Sequence, residues 1–348
     1  MKELRLISLL IAVFATTACS QSVRSEGANP SHHTHEGFRN IPYVEAASSK
    51  GALFVLRRIW GSAFHPQVPE DHRIEESIAL SRLTALAEKD TITWLGHSTF
   101  LLRVDGKTIL TDPFLTNRAS PVSFLGGITR YVPPGISIKN LPEVDIIVVS
   151  HDHYDHLDIQ TICALPNRNT IDAFVPLGLK STFSDCGYTK IHELDWWQEK
   201  SVRGLDIAAL PSAHDSGRGL FDKDETLWAS WAIVSGESKY FFSGDTGYSP
   251  VFKEIGTMYG SFDLAIVPIG AYAPRELMSM SHVNPEEAVE LGEDVNAKTM
   301  VGGHWGTIEL SDEDHWEPPT RFITAGKNLG MSEERIWVMK VGETRILP

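Results

Sequence analysis

An apolar run from Val144 to Val149 ends at Ser150 and is followed at once by His151-Asp152-His153-Tyr154-Asp155-His156. Four potential metal ligands therefore sit at 151, 153, 155 and 156. In an extended segment, alternation places His151 and His153 on one side, and a turn opening a helix can swing Asp155 and His156 round to a second point. One loop can in this way feed two metals. With 14 His in 348 residues, such a set arises by chance somewhere in the chain with a probability of about one in a thousand. The alternative is a solvated His-rich loop.

Two metals need more ligands than one loop supplies, and further candidates stand just past other apolar runs. Leu205 to Leu210 leads to His214, Tyr240 to Phe242 leads to Asp245, and Met300-Val301 leads to His304. Asp245 and His304 are flanked by glycines, which let backbone approach a metal closely. Runs with strand composition alternate with helix signals from Thr91 onward, which favours two sheets faced by helices, an α/β body, over an all-β one. Asp105-Gly106 reads as a hairpin turn. Asn284-Pro285-Glu286-Glu287 reads as a cap, a first-turn proline and two first-turn acids, so a helix is expected from there to about Asp294.

The order His-x-His-x-Asp-His, then His, Asp and His, resembles the metallo-β-lactamase superfamily over about residues 90–348. The resemblance implies a four-layer αββα sandwich with the site at one edge of the two sheets. It also implies His151, His153 and His214 on one metal, Asp155, His156 and His304 on a second, and Asp245 bridging both. Asp112 matches the superfamily's early aspartate, a partner that orients the ligand loop. Five imidazoles among seven ligands suit zinc, and manganese or iron also occupy mixed N/O sites.

More extended motifs are Trp94-Leu95-Gly96-His97-Ser98-Thr99, Thr111-Asp112-Pro113, Arg118-Ala119-Ser120-Pro121, Leu227-Trp228-Ala229-Ser230-Trp231, Gly244-Asp245-Thr246-Gly247-Tyr248, and Gly270 through Ala288. Together they resemble the branch of N-acyl-phosphatidylethanolamine-hydrolysing phospholipase D and its bacterial lipoprotein relatives, and Phe38-Arg39-Asn40-Ile41-Pro42 is similar to that branch's lead-in. Where the branch commonly has an aromatic residue after the third-motif histidine, Asp215 follows His214, which bears on the acyl-binding surface. The resemblance implies a metal-bridged hydroxide attacking a phosphodiester, in which Asp155 and His282 take part in catalysis. His282 is expected at the phosphate or leaving oxygen, or else as a helix lead-in histidine bonded to backbone. His97 is either a substrate contact or a support of the ligand loop. Alternatives on the same metals are a lactonase or another ester or amide hydrolase; a non-catalytic envelope lipoprotein with a structural metal is the reading from a different class.

Lys2 and Arg5, the apolar run Leu6 to Ala15 and the small residues Thr16-Thr17-Ala18 before Cys19 match an export signal. A run of ten residues cannot span a bilayer. The expectation is removal of residues 1–18, lipid attachment at Cys19 and a membrane-anchored lipoprotein of the bacterial envelope; a soluble periplasmic or secreted protein is the alternative. Residues 19–50 read as a polar tether, in which His32, His33 and His35 could scavenge metal but read first as a solvated histidine run. Residues 51–90 read as an N-terminal extension with a short helix around Leu53 to Trp60 packed on the body, and 91–348 as the hydrolase domain. A net charge of −14 is the wrong sign for holding nucleic acid by counterion release. Cys163 and Cys186 are left either to pair, as an oxidising compartment permits, or to stand as two buried thiols. Oligomeric state is not legible.

Overall fold

Asp105 and Gly106 both take positive φ, 48° and 68°, the pair that a type I′ turn requires. They fold β2 (Thr99–Val104) back onto β3 (Lys107–Thr111), and β1 (Thr91–Gly96) pairs antiparallel with β2. The expected meander is present. The computed structural model describes residues 30–42, 66–120, 127–219 and 221–348. β6 (Ile146–Val148), β7 (Asp172–Pro176) and β8 (Lys190–Leu194) extend the sheet in parallel from β3, and β16 (Thr344–Ile346) closes its other edge. A two-stranded ribbon joins β4 (Arg118–Ala119) to β5 (Ile128–Thr129).

The second sheet runs β9 (Glu199–Val202), β10 (Leu205–Leu210), β11 (Ser230–Ser235) and β12 (Ser238–Phe242) antiparallel. It continues in parallel through β13 (Phe262–Pro268), β14 (Ala297–Gly303) and β15 (Ile336–Trp337).

Side-chain alternation sorts the layers. From the first sheet, Ile92, Trp94, Phe100, Leu102, Ile109, Ile146 and Val148 share one core with Ile207, Trp231, Ile233 and Tyr240 of the second. Their neighbours Leu95, Leu101, Leu110, Ile147 and Val149 face outward onto Ala79 and Leu83 of the helix Glu76–Ala85, Ile162 of Ile159–Ala164 and Phe183 of Lys180–Asp185. Helices Val251–Tyr259, Pro285–Asp294 and Glu317–Asn328 add Phe252, Val289 and Phe322 to the larger core. The result is the four-layer αββα sandwich expected from the sequence. Trp231 links the two sheets: its buried indole N–H donates to the Val149 carbonyl at 2.9 Å, and truncating a side chain of this kind costs about 3–5 kcal/mol.

The helix Pro285–Asp294 begins where its sequence signals put it. Asn284 accepts from the Glu287 N–H and the Glu287 carboxylate accepts from the Asn284 N–H, a reciprocal capping box.

Two readings change, and a third falls outside the described residues. Within 51–90 the described helix is Glu76–Ala85, and the run Leu53 to Trp60 lies outside the described residues, as do residues 1–18 and Cys19. Residues 32–42 belong to the same unit as the sheets and are no tether. The histidine run is not solvated at His32, which is buried with its Nε2 2.6 Å from Asp195 Oδ1, because Asp195 offers a carboxylate that repays the desolvation of the ring. Cys163 and Cys186 are joined in a disulfide, their Cα atoms 4.8 Å apart.

Candidate metal centre

Parallel strands place their carboxyl ends at one edge, and the candidate ligands follow those ends. His151 comes after β6, Asp245 after β12 and His304 after β14, while His214 follows β10. Close backbone approach is needed here. Gly244 takes φ 58°, and a Cβ on it would lie 2.3 Å from the Ser150 Cβ, so the Asp245 loop reaches the His151 loop only with glycine in this place.

Three imidazoles meet in the first group. His151 Nε2 lies 2.9 Å from His153 Nδ1, and His214 Nε2 lies 3.2 and 3.3 Å from these two atoms. Nitrogens bound to one tetrahedral zinc at 2.0–2.1 Å stand about 3.3 Å apart, so the triangle fits a single ion. The far nitrogens of two rings are engaged elsewhere, which directs the near ones to the centre. His151 Nδ1 donates to Ser150 Oγ at 2.8 Å, and His214 Nδ1 donates to the Ser281 carbonyl at 2.9 Å.

Asp155, His156 and His304 make the second group, and Asp245 lies between the two. Asp245 Oδ2 is 3.0 Å from His156 Nε2 and 2.9 Å from His304 Nε2, and its carboxylate also clusters with His214 and His282. Those contacts lie outside hydrogen-bond geometry: His156 Nε2, His304 Nε2 and Asp245 Oδ1 are buried with no hydrogen-bond partner. Buried polar atoms converging without bonds are what a shared cation satisfies. Asp112 orients this side. Its carboxylate accepts from the Ser150 N–H at 2.7 Å, the Ser150 hydroxyl at 2.6 Å and His156 Nδ1 at 2.6 Å.

The electrostatics agree. Burial opposes ionisation of Asp155 and Asp245, but the imidazoles around them, His156 foremost, hold both carboxyls well below the ordinary range. Burial likewise opposes charge on His304, yet Asp245 and Asp155 push it up to about 9. The centre therefore draws positive charge into a buried place, and its residues fit a metal cation.

His97 supports the ligand loop. Its Nε2 donates to Asp155 Oδ2 at 2.8 Å, with Thr307 Oγ1 3.3 Å from its Nδ1, and burial first, then His304, lowers its pKa to about 3, so the ring is neutral. His282 is held by its backbone beside the centre. Its backbone N–H bonds to the Met278 carbonyl, while its side chain turns to the centre, with Nδ1 3.8 Å from Asp245 Oδ2 and unpartnered. Burial also lowers His282 to about 3. Asp215 takes a bond from the Ser281 hydroxyl at 3.1 Å and stands 3.9 Å from His214 Nδ1.

Sequence reasoning passed over Asn40. Its Nδ2 donates to the His214 carbonyl at 2.8 Å, its Oδ1 accepts from the His214 N–H at 3.0 Å, and Trp228 Nε1 donates to the same oxygen at 3.1 Å. The signal available was the lead-in motif Phe38 to Pro42. Asp152, inside the ligand loop, also went unassigned; it accepts from the Gly217 N–H and the Thr226 hydroxyl and ties that loop to the next.

Residues 107–305 match the family description "Beta-lactamase superfamily domain". The chain is 38% identical over 285 residues, 77% of its length and 80% of the relative's, to N-acyl-phosphatidylethanolamine-hydrolyzing phospholipase D 1 of Caenorhabditis elegans. It is 42% identical over 246 residues to an uncharacterised protein of Mycobacterium tuberculosis, covering 69% of this chain and 65% of that one. Among solved structures, a metallo hydrolase from the archaeon Ignicoccus hospitalis superposes with a TM-score of 0.54 at 22% identity, over 74% of this chain and 97% of that one. With the family description spanning more than half of the sequence, and with that nematode relative alongside it, the chain belongs to the metallo-β-lactamase superfamily, in the branch that holds N-acyl-phosphatidylethanolamine-hydrolysing phospholipase D.

Proposed function

We propose that this chain, a metal-dependent hydrolase, cleaves a phosphodiester bond at a two-metal centre, with a phospholipid of the N-acyl-phosphatidylethanolamine kind as its first candidate substrate. The observation that carries the reading is Asp245 standing between two ligand groups, with the unassigned His282 imidazole beside it. The identity to the nematode phospholipase D over most of the chain supports the substrate class.

His151, His153 and His214 would hold one divalent ion, Asp155, His156 and His304 another, and Asp245 both; zinc suits the imidazole-rich set. Ions so placed, when bound, lower the pKa of water and offset charge growing on phosphoryl oxygens. Asp112 and His97 hold His156 and Asp155 in register through their own bonds. His282 is neutral at working pH and serves as an N–H donor to the phosphate or the departing oxygen. We further propose that lipid on Cys19 anchors the chain to the cell envelope.

Zinc-loaded protein is assayed with vesicles of N-acyl-phosphatidylethanolamine, with simple phosphodiesters and with lactones. The expected result is phosphatidic acid from the phospholipid and turnover of the simple diesters. Opening of lactones with no diester cleaved would overturn the phosphodiesterase reading and leave the metal centre standing. Inertness toward all three would favour a structural metal protein.

A further inference from the structure

Away from that centre, His32, His33 and Asp195 bring two imidazole nitrogens and a carboxylate to one point, their ligand atoms within 4.8 Å of one another. His32 Nε2 lies 2.6 Å from Asp195 Oδ1, and His33 Nε2 lies 2.9 Å from Oδ2. The two rings stand 4.6 Å apart at 75°. In the main centre, His151 and His153 stand 4.5 Å apart at 83°, and His151 and His214 stand 4.4 Å apart at 77°. The spacing and angle of the histidine pair are thus close to those of the ring pairs in the main centre. The groups are also held in advance: His32 stacks on Trp196 at 4.2 Å, and Asp195 Oδ1 accepts from the Trp196 N–H at 2.7 Å.

We propose that His32, His33 and Asp195 form a separate structural site for one divalent ion of the zinc class. Two nitrogens and one carboxylate oxygen supply three of the four ligands such an ion takes, and the His33 side chain, 23% exposed, leaves one side open for water. The gain is a cross-link. Residues 32–42 contain no helix or strand of their own, and an ion joining positions 163 residues apart pins them to the body. The same segment carries Asn40, which holds the backbone of the ligand His214. The ion would therefore fasten a strap on which the main centre depends.

The test counts zinc in full-length chain that has been stripped with chelator, reloaded with excess zinc and desalted. His33→Ala leaves the buried His32–Asp195 contact in place, and circular dichroism checks its fold; His33→Gln gives the same comparison if that variant does not fold. Wild type is expected to retain one zinc per chain more than His33→Ala, whatever number the main centre takes. The same difference of one is expected between His151→Ala and His151→Ala/His33→Ala, which separates this site from the main centre. Equal zinc in wild type and the His33 variant would overturn the proposal.

Discussion

At the residue scale, the seven candidate ligands were legible because each stands just past an apolar run, where a strand end delivers it to an edge. The residues that hold those ligands were not. Asn40 lies 174 positions from His214, and its role rests on two backbone bonds that no local pattern encodes. Asn40→Ala should weaken zinc held by His151, His153 and His214 about 10- to 100-fold, the usual effect of removing a group that orients a ligand; chelator competition measures it. His282→Ala should slow diesters with alkyl leaving groups by about 10²- to 10³-fold, the usual cost of losing a hydrogen-bond donor aimed at developing charge, and p-nitrophenyl esters far less, because p-nitrophenolate departs without help. Its metal content should stay at the wild-type value. Equal slowing of both ester classes in steady-state assays would place His282 in binding alone.

The elements were read well where turn and cap chemistry is local. The Asp105-Gly106 hairpin and the helix from Pro285 follow from two or three residues each. The helix Glu76–Ala85 was not read from the sequence, since its hydrophobic periodicity is weak and its anchor is distant. Glu76 in its first turn accepts from the Ser137 hydroxyl at 2.6 Å, the Ser137 N–H at 2.8 Å and Asn140 Nδ2 at 2.9 Å, tying the helix to the short turn Ile138–Asn140. The Ser137 hydroxyl bond, more than any other cause, lowers the Glu76 carboxyl to about 2. A depressed carboxyl stabilises the fold fully above its unfolded value, and that stabilisation fades as pH falls through the folded one. The stability gap between wild type and Glu76→Gln should therefore be full above pH about 4.5 and shrink toward pH 2. Urea unfolding at several pH values reads it, and a gap that widens on acidification would contradict the assignment.

For the whole molecule, the strand and helix pattern pointed to two sheets faced by helices, while the layer order came from the family resemblance, and the fold bears both out. The disulfide and the packing of residues 32–42 are long-range events that periodicity does not report. No helix among the described residues is long and apolar enough to cross a membrane. The proposed anchoring is by lipid on Cys19. Cys19→Ser should leave an unprocessed precursor or a soluble form, and unchanged size and membrane partition on fractionation would refute it. The central claim is that hydrolysis of a phosphodiester depends on metal at the His151–His304 edge of the sheets. It is tested most directly by following turnover of bis(p-nitrophenyl) phosphate while the metal-free chain is titrated with zinc. The account predicts no turnover at the start, a rise as zinc fills the centre, and no rise in Asp245→Ala; turnover by the metal-free chain, or a rise undiminished in Asp245→Ala, would contradict it.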